Sequence, residues 1–436
     1  MHGPALWQQL QSCALVIDRV LKGASATQVL DDVRADWRPG VQSLSYVVMR
    51  QLGTAQALRQ LLAPKAPKPA ADALLLTALA LLVDERQRYD PHTLVNQAVE
   101  AAKKQRSTLP LASFINGCLR RCLREQAALM GLVMQQAQAR WNHPVWWIAR
   151  LQHEQPERWE TILQANNQQA PMVLRVNRRH LSRDAYLAQL QEAGIDAWPQ
   201  GEHGVMLLKP RPVAEIPGFA QGQVSVQDTA AQLAAPLLLQ GMNLGSSSRV
   251  LDACAAPGGK TAHLLELCDA QVTALEIDAQ RAEKITQGLQ RLGLKAEVIT
   301  ADAANTDSWW DGELLDAMLV DAPCTASGIV KRHPDVRWLR RETDIAQLAA
   351  QQSRLLKALW PLLKPGGRLL YCTCSVFRAE GQDQIDAFLT HNTQARLLPS
   401  PGHLMPMLGV DAPKLTDNPQ DVHDGFYYAL LEKVRT

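Results

Sequence analysis

Two cysteines follow predicted strands at positions where thiols can react. Asp321-Ala-Pro-Cys324 ends one apolar run, and Thr373-Cys374-Ser375 ends a later one. If the two strands are neighbours in a parallel sheet, about 4.8 Å apart, both thiols face one crevice. A free thiol has a pKa of about 8.5, so a nucleophilic role requires activation by positive charge or hydrogen bonds. We therefore expect covalent chemistry at this pair, with Cys372 pointing elsewhere, into packing.

A second stretch could hold a nucleoside beside these thiols. Residues 249–261 read Arg-Val-Leu-Asp-Ala-Cys-Ala-Ala-Pro-Gly-Gly-Lys-Thr, an apolar strand followed by small residues and then a helix. Small residues let a ligand approach the backbone, and the helix N-terminus offers free N–H groups. Glu276 comes eighteen positions after Gly258, at the end of the next predicted strand. That spacing suits a carboxylate bound to ribose hydroxyls, although an ordinary strand-to-helix turn is the alternative.

The ending Gly-Gly-Lys-Thr also resembles the phosphate-binding loop of nucleotide triphosphatases. That motif requires a glycine five positions before Gly259, where this chain has Cys254. Pro257 also removes an N–H group that the phosphate would need. The sequence therefore argues against a nucleotide triphosphatase.

Composition and charge limit the class of protein. The chain has 436 residues, 47% of them hydrophobic, and this length is too great for one core, so two or three domains are expected. No long apolar run occurs, and Met1-His2-Gly3-Pro4 does not begin a signal peptide, so a cytoplasmic protein without a membrane span is expected. The eight cysteines form no paired CxxC modules, and no metal is expected.

The positive charge is concentrated in the N-terminal part. Residues 1–140 contain 17 Lys and Arg against 10 Asp and Glu, whereas the whole chain has a net charge of only +2. This excess favours a polyanion partner, nucleic acid first, with a solvated basic surface as the alternative. Two arginine groups are candidate RNA contacts: Arg120, Arg121 and Arg124 on a predicted helix, and Arg175, Arg178 and Arg179 along a predicted strand.

Apolar spacing divides the chain into three parts. Residues 1–140 read as helices throughout, with 41–62 and 111–134 each predicted as one continuous helix and Ser25 as the N-cap of the helix that follows it, and residues 141–240 read as a small α+β module. From residue 241, strands and helices alternate, which predicts a mostly parallel, doubly wound sheet with ligands at its C-terminal strand ends. Glu276, Asp302 and Asp321 end successive strands, as this rule expects, although each alone could be a cap or turn residue. The predicted strands are 249–254, 271–277, 297–301, 314–321, 367–373 and 425–432.

Taken together, the motifs resemble the RNA cytosine-5 methyltransferase family, most closely its bacterial Fmu/Sun-type branch. The resemblance covers essentially the whole chain. It implies a NusB-like helical RNA-binding domain at 1–140, a linking module at 141–240, and a Rossmann-like class I methyltransferase domain at 241–436. The segments that carry it are Asp252–Thr261, Asp321–Gly328, Arg332–Asp335, Thr373–Ser375 and Asp424–Tyr428.

The resemblance also implies an activity and residue roles. The activity is methyl transfer from S-adenosylmethionine to carbon 5 of a specific cytosine in 16S ribosomal RNA, through a covalent cysteine adduct. Cys374 is then the nucleophile, Cys324 assists product release by proton abstraction, and Asp321 lies between cofactor and base. Glu276, where the family often has Asp, is expected to bind the ribose and Asp302 the adenine side. The methionine end is expected at Cys254, Ala255, Ala256, Pro257, Gly258, Gly259 and Lys260.

Several alternatives stay open. DNA cytosine methyltransferases attack with the cysteine of Pro-Cys, which is Cys324 here; spacing alone does not decide between the two, and the second cysteine in Thr-Cys-Ser favours Cys374. A non-catalytic RNA-binding or ribosome-assembly factor could retain the fold. An amino-methyltransferase is disfavoured because Asp321-Ala-Pro-Cys324 replaces its Pro-Pro-aromatic motif. We expect ribosomal RNA as the partner, a monomer, and neither membrane nor metal.

Overall fold

The computed structural model describes residues 4–86, 88–407 and 422–435. The chain folds into two compact units: Met1–Gln168 with Val330–Glu342, and Gln169–Ile329 with Thr343–Thr436. The domain boundaries expected near residues 140 and 240 stay predictions. In the described part of the chain, no helix is both long and apolar enough to cross a membrane. Residues 1–3, on which the expectation about a signal peptide partly rests, lie outside it.

The first unit is helical, as the apolar spacing predicts. In its first helix, Leu10, Cys13 and Ile17 fall on one face and are fully buried. The Asp90 side chain accepts the N–H of Thr93 and so fixes the start of the sixth helix. The helices are α1 (Leu6–Leu21), α2 (Ala26–Asp31), α3 (Arg38–Arg50), α4 (Leu52–Leu62), α5 (Pro69–Leu82), α6 (Pro91–Lys104), α7 (Ala112–Arg124), α8 (Gln126–Val133), α9 (Ala137–Trp141), α10 (Val145–Glu154) and α11 (Trp159–Asn167).

Two helices that the spacing predicts as continuous are each broken in two. The segment 41–62 is divided between α3 and α4, and the segment 111–134 between α7 and α8. The breaks occur at Gln51 and Glu125, whose φ and ψ angles, −108° and 8°, and −111° and 18°, leave the helical region. Because the apolar spacing continues across both residues, periodicity does not detect the breaks.

The second unit begins with a small four-stranded antiparallel sheet in the order β2-β3-β1-β4. Its apolar face, which includes Leu174 and Val205, packs with Tyr186 of the adjoining helix. Two short helices then lead to the larger sheet. The elements are β1 (Met172–Val176), α12 (Arg183–Glu192), β2 (Ala197–Gln200), β3 (Gly204–Leu207), β4 (Val224–Val226), α13 (Thr229–Gln232) and α14 (Ala234–Leu239).

One helical segment is inserted in the chain between the strands of the larger sheet. Its first elements are β5 (Arg249–Ala253), α15 (Gly259–Leu267), β6 (Gln271–Glu276), α16 (Ala279–Arg291), β7 (Glu297–Thr300) and β8 (Leu315–Asp321). The chain then passes into the first unit for Val330–Glu342, which contains α17 (Val336–Leu339). The last elements are α18 (Glu342–Leu359), β9 (Leu363–Thr373), α19 (Gln382–His391), β10 (Ala395–Leu404) and β11 (Phe426–Lys433).

The seven strands lie in the order β10-β11-β9-β8-β5-β6-β7, with β10 and β11 antiparallel to their neighbours and the other pairs parallel. Alternate residues point to opposite faces. Val250 and Leu319 pack on the side of α14, α15 and α16, whereas Leu251 and Val320 pack on the side of α18 and α19. Helices therefore cover both faces, which confirms the expected doubly wound, mostly parallel architecture.

The segment Val330–Glu342 completes the helical unit. The Asp335 carboxylate accepts the backbone N–H of Ala26, at 2.9 Å, where α2 begins. Sequence spacing suggests Ser25 as the N-cap of this helix, but the Ser25 side chain makes no capping hydrogen bond. The Arg332–Asp335 motif is therefore part of the helical unit's structure.

Arg337 lies in the same segment and is fully buried. Its guanidinium donates to the backbone oxygens of Asn142, at 3.0 Å, and Asn166, at 2.7 Å, and to the side chain of Asn167. Asn142 precedes α10, and Asn166 and Asn167 end α11. A distant part of the sequence thus satisfies polar groups that the N-terminal residues leave unpaired.

Candidate active site

The glycine turn connects β5 to α15. Gly258 has a φ of 92°, and a Cβ there would lie 3.1 Å from the Ile285 side chain, so any other residue would be strained and crowded. Cys254 also has a positive φ, of 62°, which is unusual outside glycine. Burial raises the pKa of Cys254 to about 12, so this thiol is not reactive at neutral pH. The turn and the first two residues of α15 contain the seven residues expected at the methionine end of the cofactor.

Glu276 ends β6 beside this turn and is 2% exposed. Its carboxylate accepts the N–H groups of Ala256, at 3.3 Å, and Asp278, at 3.1 Å, and approaches the Arg281 guanidinium at 3.4 Å. The carboxylate is therefore fixed in direction by the backbone on both sides. Arg281 was not expected from the sequence.

Asp302 follows β7 and pairs with Arg354 of α18 at 2.8 Å, and its other oxygen accepts the N–H of Ala304. A cavity of about 170 Å³ opens between these carboxylates. Its walls combine apolar side chains with the two acids and two arginines: Cys254, Leu275, Glu276, Ile277, Arg281, Ala301, Asp302, Ala303, Pro323, Gln351, Arg354 and Leu355. Apolar walls with a few polar groups suit a nucleoside.

Lys260 and Asp321 form an ion pair that joins the glycine turn to the end of β8. The Lys260 Nζ lies 2.6 Å from Asp321 Oδ2, and both side chains are largely shielded from solvent. Burial acts to lower the pKa of Lys260, but the negative charge of Asp321 outweighs it, and the pKa lies above its ordinary value. Lys260 therefore stays charged, and Asp321 is held at the strand end with a fixed direction.

The two cysteines at the ends of β8 and β9 are in contact. Sγ of Cys324 lies 3.4 Å from Sγ of Cys374, and Cys324 is the more buried of the two. The hydrogen bond to Cys374, burial, and the nearby charge of Glu380 hold the pKa of Cys324 well above its ordinary value. The strands are adjacent and parallel, as expected, so both thiols lie at one edge of the sheet. The chemical roles of the two thiols stay predictions.

Cys372 corrects one expectation. Residues two apart in a strand share a face, so Cys372 and Cys374 both pack on the side of α14, α15 and α16. Cys372 is fully buried, as expected, but its Sγ points to the site and donates to Asp321 Oδ1 at 3.5 Å. Asp321 therefore has a partner at each carboxylate oxygen.

The expected RNA contact by the arginines of β1 is wrong for Arg175. This residue is fully buried, and its guanidinium donates to both Glu266 oxygens, at 2.9 and 2.6 Å. It also donates to the backbone oxygen of Gly259, at 2.7 Å, at the start of α15. Arg179 likewise donates to backbone oxygens at the end of α15. These two side chains hold the helix that follows the glycine turn, and Arg178 and Arg179 are both exposed at the surface.

In the helical unit, Arg120, Arg121 and Arg124 are exposed on α7. Arg121 and Arg124 both pair with Glu125, at 2.9 and 3.1 Å, so part of their charge is neutralised. Across the described residues, no group of three or more His, Cys, Asp or Glu side chains is arranged to hold a metal ion.

Three parts of the chain match known families. Residues 239–432 match the family described as 16S rRNA methyltransferase RsmB/F. Residues 143–214 match a ferredoxin-like domain of RsmF/B-like methyltransferases, and residues 8–124 match the NusB family.

Full-length relatives are also similar to this chain. Ribosomal RNA small subunit methyltransferase B of Pseudomonas syringae pv. tomato is 41% identical over 427 residues, covering 96% of this chain and 91% of that protein. The protein of the same name from Vibrio vulnificus is 40% identical over 432 residues, covering 96% of each chain. A crystal structure of a methyltransferase homolog protein from Pyrococcus horikoshii, 25% identical, covers 68% of this chain and 97% of its own, with a TM-score of 0.56.

Proposed function

The chain belongs to the family of ribosomal RNA small subunit methyltransferase B, and from this premise we propose that it transfers a methyl group from S-adenosylmethionine to carbon 5 of a cytosine in 16S ribosomal RNA. The observation that carries the proposal is the contact between Sγ of Cys324 and Sγ of Cys374, 3.4 Å apart at the edge of the sheet. One thiol that adds to the base and a second that assists release, held in contact, are what a covalent addition and release at cytosine require.

The residues around the glycine turn fit the cofactor. S-adenosylmethionine supplies an electrophilic methyl group on a sulfonium. The buried Glu276 carboxylate would bind the ribose hydroxyls, and Asp302, which lines the same cavity, would bind on the adenine side. The free N–H groups at the start of α15 and the charge of Lys260 lie where the methionine carboxylate is expected.

Cys374 is proposed as the nucleophile. Carbon 5 of cytosine is a poor nucleophile until the Cys374 thiolate adds to carbon 6, which moves an electron pair to carbon 5. Carbon 5 would then attack the sulfonium methyl group, whose bond to sulfur breaks to leave S-adenosylhomocysteine. Asp321, held by Lys260 and Cys372, accepts a hydrogen bond from the Watson–Crick edge of the base and keeps it in place. The greater exposure of Cys374 supports this assignment over Cys324.

Cys324 is proposed to release the product. The proton on carbon 5 passes to the Cys324 thiolate, the electron pair re-forms the double bond between carbons 5 and 6, and the bond from carbon 6 to Cys374 breaks. In the free site, the hydrogen bond to Cys374 and burial hold the pKa of Cys324 well above its ordinary value, and burial remains when Cys374 is bonded to the base, so Cys324 must lose its own proton first. Release is therefore expected to accelerate as the pH rises.

The target base must leave its stack to reach these thiols, at a cost of a few kcal/mol. We propose that the basic helical part, taken as residues 1–140, helps to hold the RNA, with 141–240 as the linking module and 241–436 as the methyltransferase domain. The protein is proposed to act in the cytoplasm as a monomer and without a metal.

The assay is transfer of labelled methyl groups from S-adenosylmethionine to 16S ribosomal RNA, with bisulfite mapping of the product. Cys374→Ala should abolish transfer, whereas Cys324→Ala should accumulate a protein–RNA adduct that survives a denaturing gel. Cys268→Ala, a partly exposed cysteine at the end of α15, is the matched control and should behave as wild type. An adduct in Cys374→Ala instead would reverse the two roles, and a wild-type protein that binds RNA without methyl transfer would favour the non-catalytic assembly factor.

A further inference from the structure

Each of the two site cysteines is followed by a hydroxyl residue that bonds the same carboxylate. Thr325, after Cys324, donates its hydroxyl to Glu380 Oε2 at 2.5 Å, and Ser375, after Cys374, donates to the same oxygen at 2.6 Å. The backbone N–H of Thr325 donates to Glu380 Oε1 at 2.8 Å. One carboxylate therefore joins the loop after β8 to the loop after β9.

The Glu380 carboxylate is buried, and the hydrogen-bond donors around it are neutral. Glu380, Thr325 and Ser375 are each fully buried. Among the described residues, no Lys or Arg pairs with Glu380; its remaining donor is the amide of Gln352, which also donates to the backbone oxygen of Pro323 at 2.9 Å. Burying a carboxylate without a cation is costly, so its four donors must be arranged to receive it.

A second bond between the two loops depends on the same network. The hydroxyls of Ser327 and Ser375 lie 2.9 Å apart, and Ser327 accepts the backbone N–H of Val376 at 2.9 Å. Since Ser375 donates to Glu380, Ser327 must donate to Ser375. The hydrogen bonds of both loops therefore lead to the Glu380 carboxylate.

Resting on the proposed function, we infer that Glu380 is a positioning residue: its carboxylate holds the loops of Cys324 and Cys374 so that their sulfur atoms meet. Glu380 itself lies on the short helical turn Arg378–Glu380, and its backbone oxygen accepts the hydroxyls of Tyr371 and Thr373 of β9. The carboxylate is thereby anchored to the strand that carries Cys374. Its charge also contributes to the raised pKa of Cys324, after the hydrogen bond to Cys374 and burial.

The geometric arm of the test does not depend on activity. Diamide oxidises two adjacent thiols to a disulfide, taking up both hydrogens to become a hydrazine, and peptide mapping measures the rate of the Cys324–Cys374 bond. Thr325→Val keeps the shape and the Glu380 charge but removes the hydroxyl, and should slow this reaction at least tenfold. Thr325→Ser restores the hydroxyl and should recover most of the rate. Equal rates in Thr325→Val and wild type would overturn the inference.

The electrostatic arm uses Glu380→Gln, with Glu432→Gln on β11 as the matched control. Removal of the negative charge should shift the pH profile of Cys324 oxidation to lower pH and reduce kcat for methyl transfer at least tenfold, with the KM for S-adenosylmethionine unchanged. The control should change neither. If Glu380→Gln does not fold, the two Thr325 variants decide. A slowed disulfide in a protein that never methylates RNA would retain the positioning role and refute the proposed function alone.

Discussion

Replacing Arg175 with methionine should destabilise the second unit far more than the same change at Arg178. Arg175 and Glu266 form a doubly hydrogen-bonded ion pair whose side chains are 0% and 1% exposed. Removing one member of a buried pair leaves the other charge without a partner, at a cost of about 3–5 kcal/mol. The Arg178–Glu202 pair is 53% and 71% exposed, and its loss should cost at most about 1 kcal/mol.

The melting temperature gives the readout. At about 2–4 °C per kcal/mol for a unit of this size, Arg175→Met should lower Tm by roughly 6–20 °C. Burial already raises the pKa of Glu266, so without Arg175 the carboxylate takes up a proton more readily, and the penalty should shrink as the pH falls. Replacing both Arg175 and Glu266 with apolar residues should recover more than half of the loss, because no charge is then left buried.

The same variants separate this structural role from an RNA contact. If Arg175 bound a phosphate, its loss would reduce the salt dependence of RNA binding by about one unit of slope without a large change in Tm. We expect the reverse: a large fall in Tm and, while the protein is folded, an unchanged salt slope. An Arg175→Met protein that melts within about 2 °C of wild type would refute the reasoning.

Three further changes test other parts of the structure. Burial raises the pKa of Asp252 from 3.8 to about 7, so the free energy of unfolding of the wild type is highest below about pH 4 and falls as the pH rises to 7. In denaturant unfolding, the advantage of Asp252→Asn over wild type should therefore grow by up to about 4 kcal/mol across that range. Lys260→Met removes the 2.6 Å partner of Asp321 and should slow single-turnover methyl transfer about 100-fold. Arg337→Lys should lower Tm of the helical unit, because one ammonium does not span the two backbone oxygens that the guanidinium bonds.

The sequence predicts the alternating elements well because apolar spacing and burial have the same cause. The strand after residue 249, the glycine turn and the adjacency of β8 and β9 all follow from the doubly wound pattern. The sequence pattern does not predict strand β10, because Pro399 and Pro401 lie within it. It tolerates them because it is an edge strand with a register shift between Leu398 and Gly402.

Only the site residues that lie at the ends of single strands can be predicted from the sequence. Cys324, Cys374, Glu276, Asp302 and Asp321 could be named because strand ends are readable from a sequence. Their partners lie on other elements, and pairing across elements leaves no local pattern. The hydroxyl residue that follows each cysteine is the one feature of the sequence that points to Glu380, whose carboxylate accepts both hydroxyls.

The sequence also misassigns charged residues whose surroundings are set by the fold. Three arginines in and just after β1 have the composition of a phosphate-binding strand, yet Arg175 lies against Glu266 of α15. Period-two alternation does place Arg175 on the opposite face from Leu174 and Val176, but it does not say that this face meets an acid.

The passage of Val330–Glu342 into the helical unit has a consequence for how this protein is made. A ribosome finishes the first eleven helices long before it reaches Arg337, so the nascent bundle carries the backbone oxygens of Asn142 and Asn166 without their donor. The bundle reaches its final form only after β8 has been synthesised and the chain has returned to it. A fragment that ends at residue 168 therefore lacks Val330–Glu342, which forms part of the interior of the helical unit.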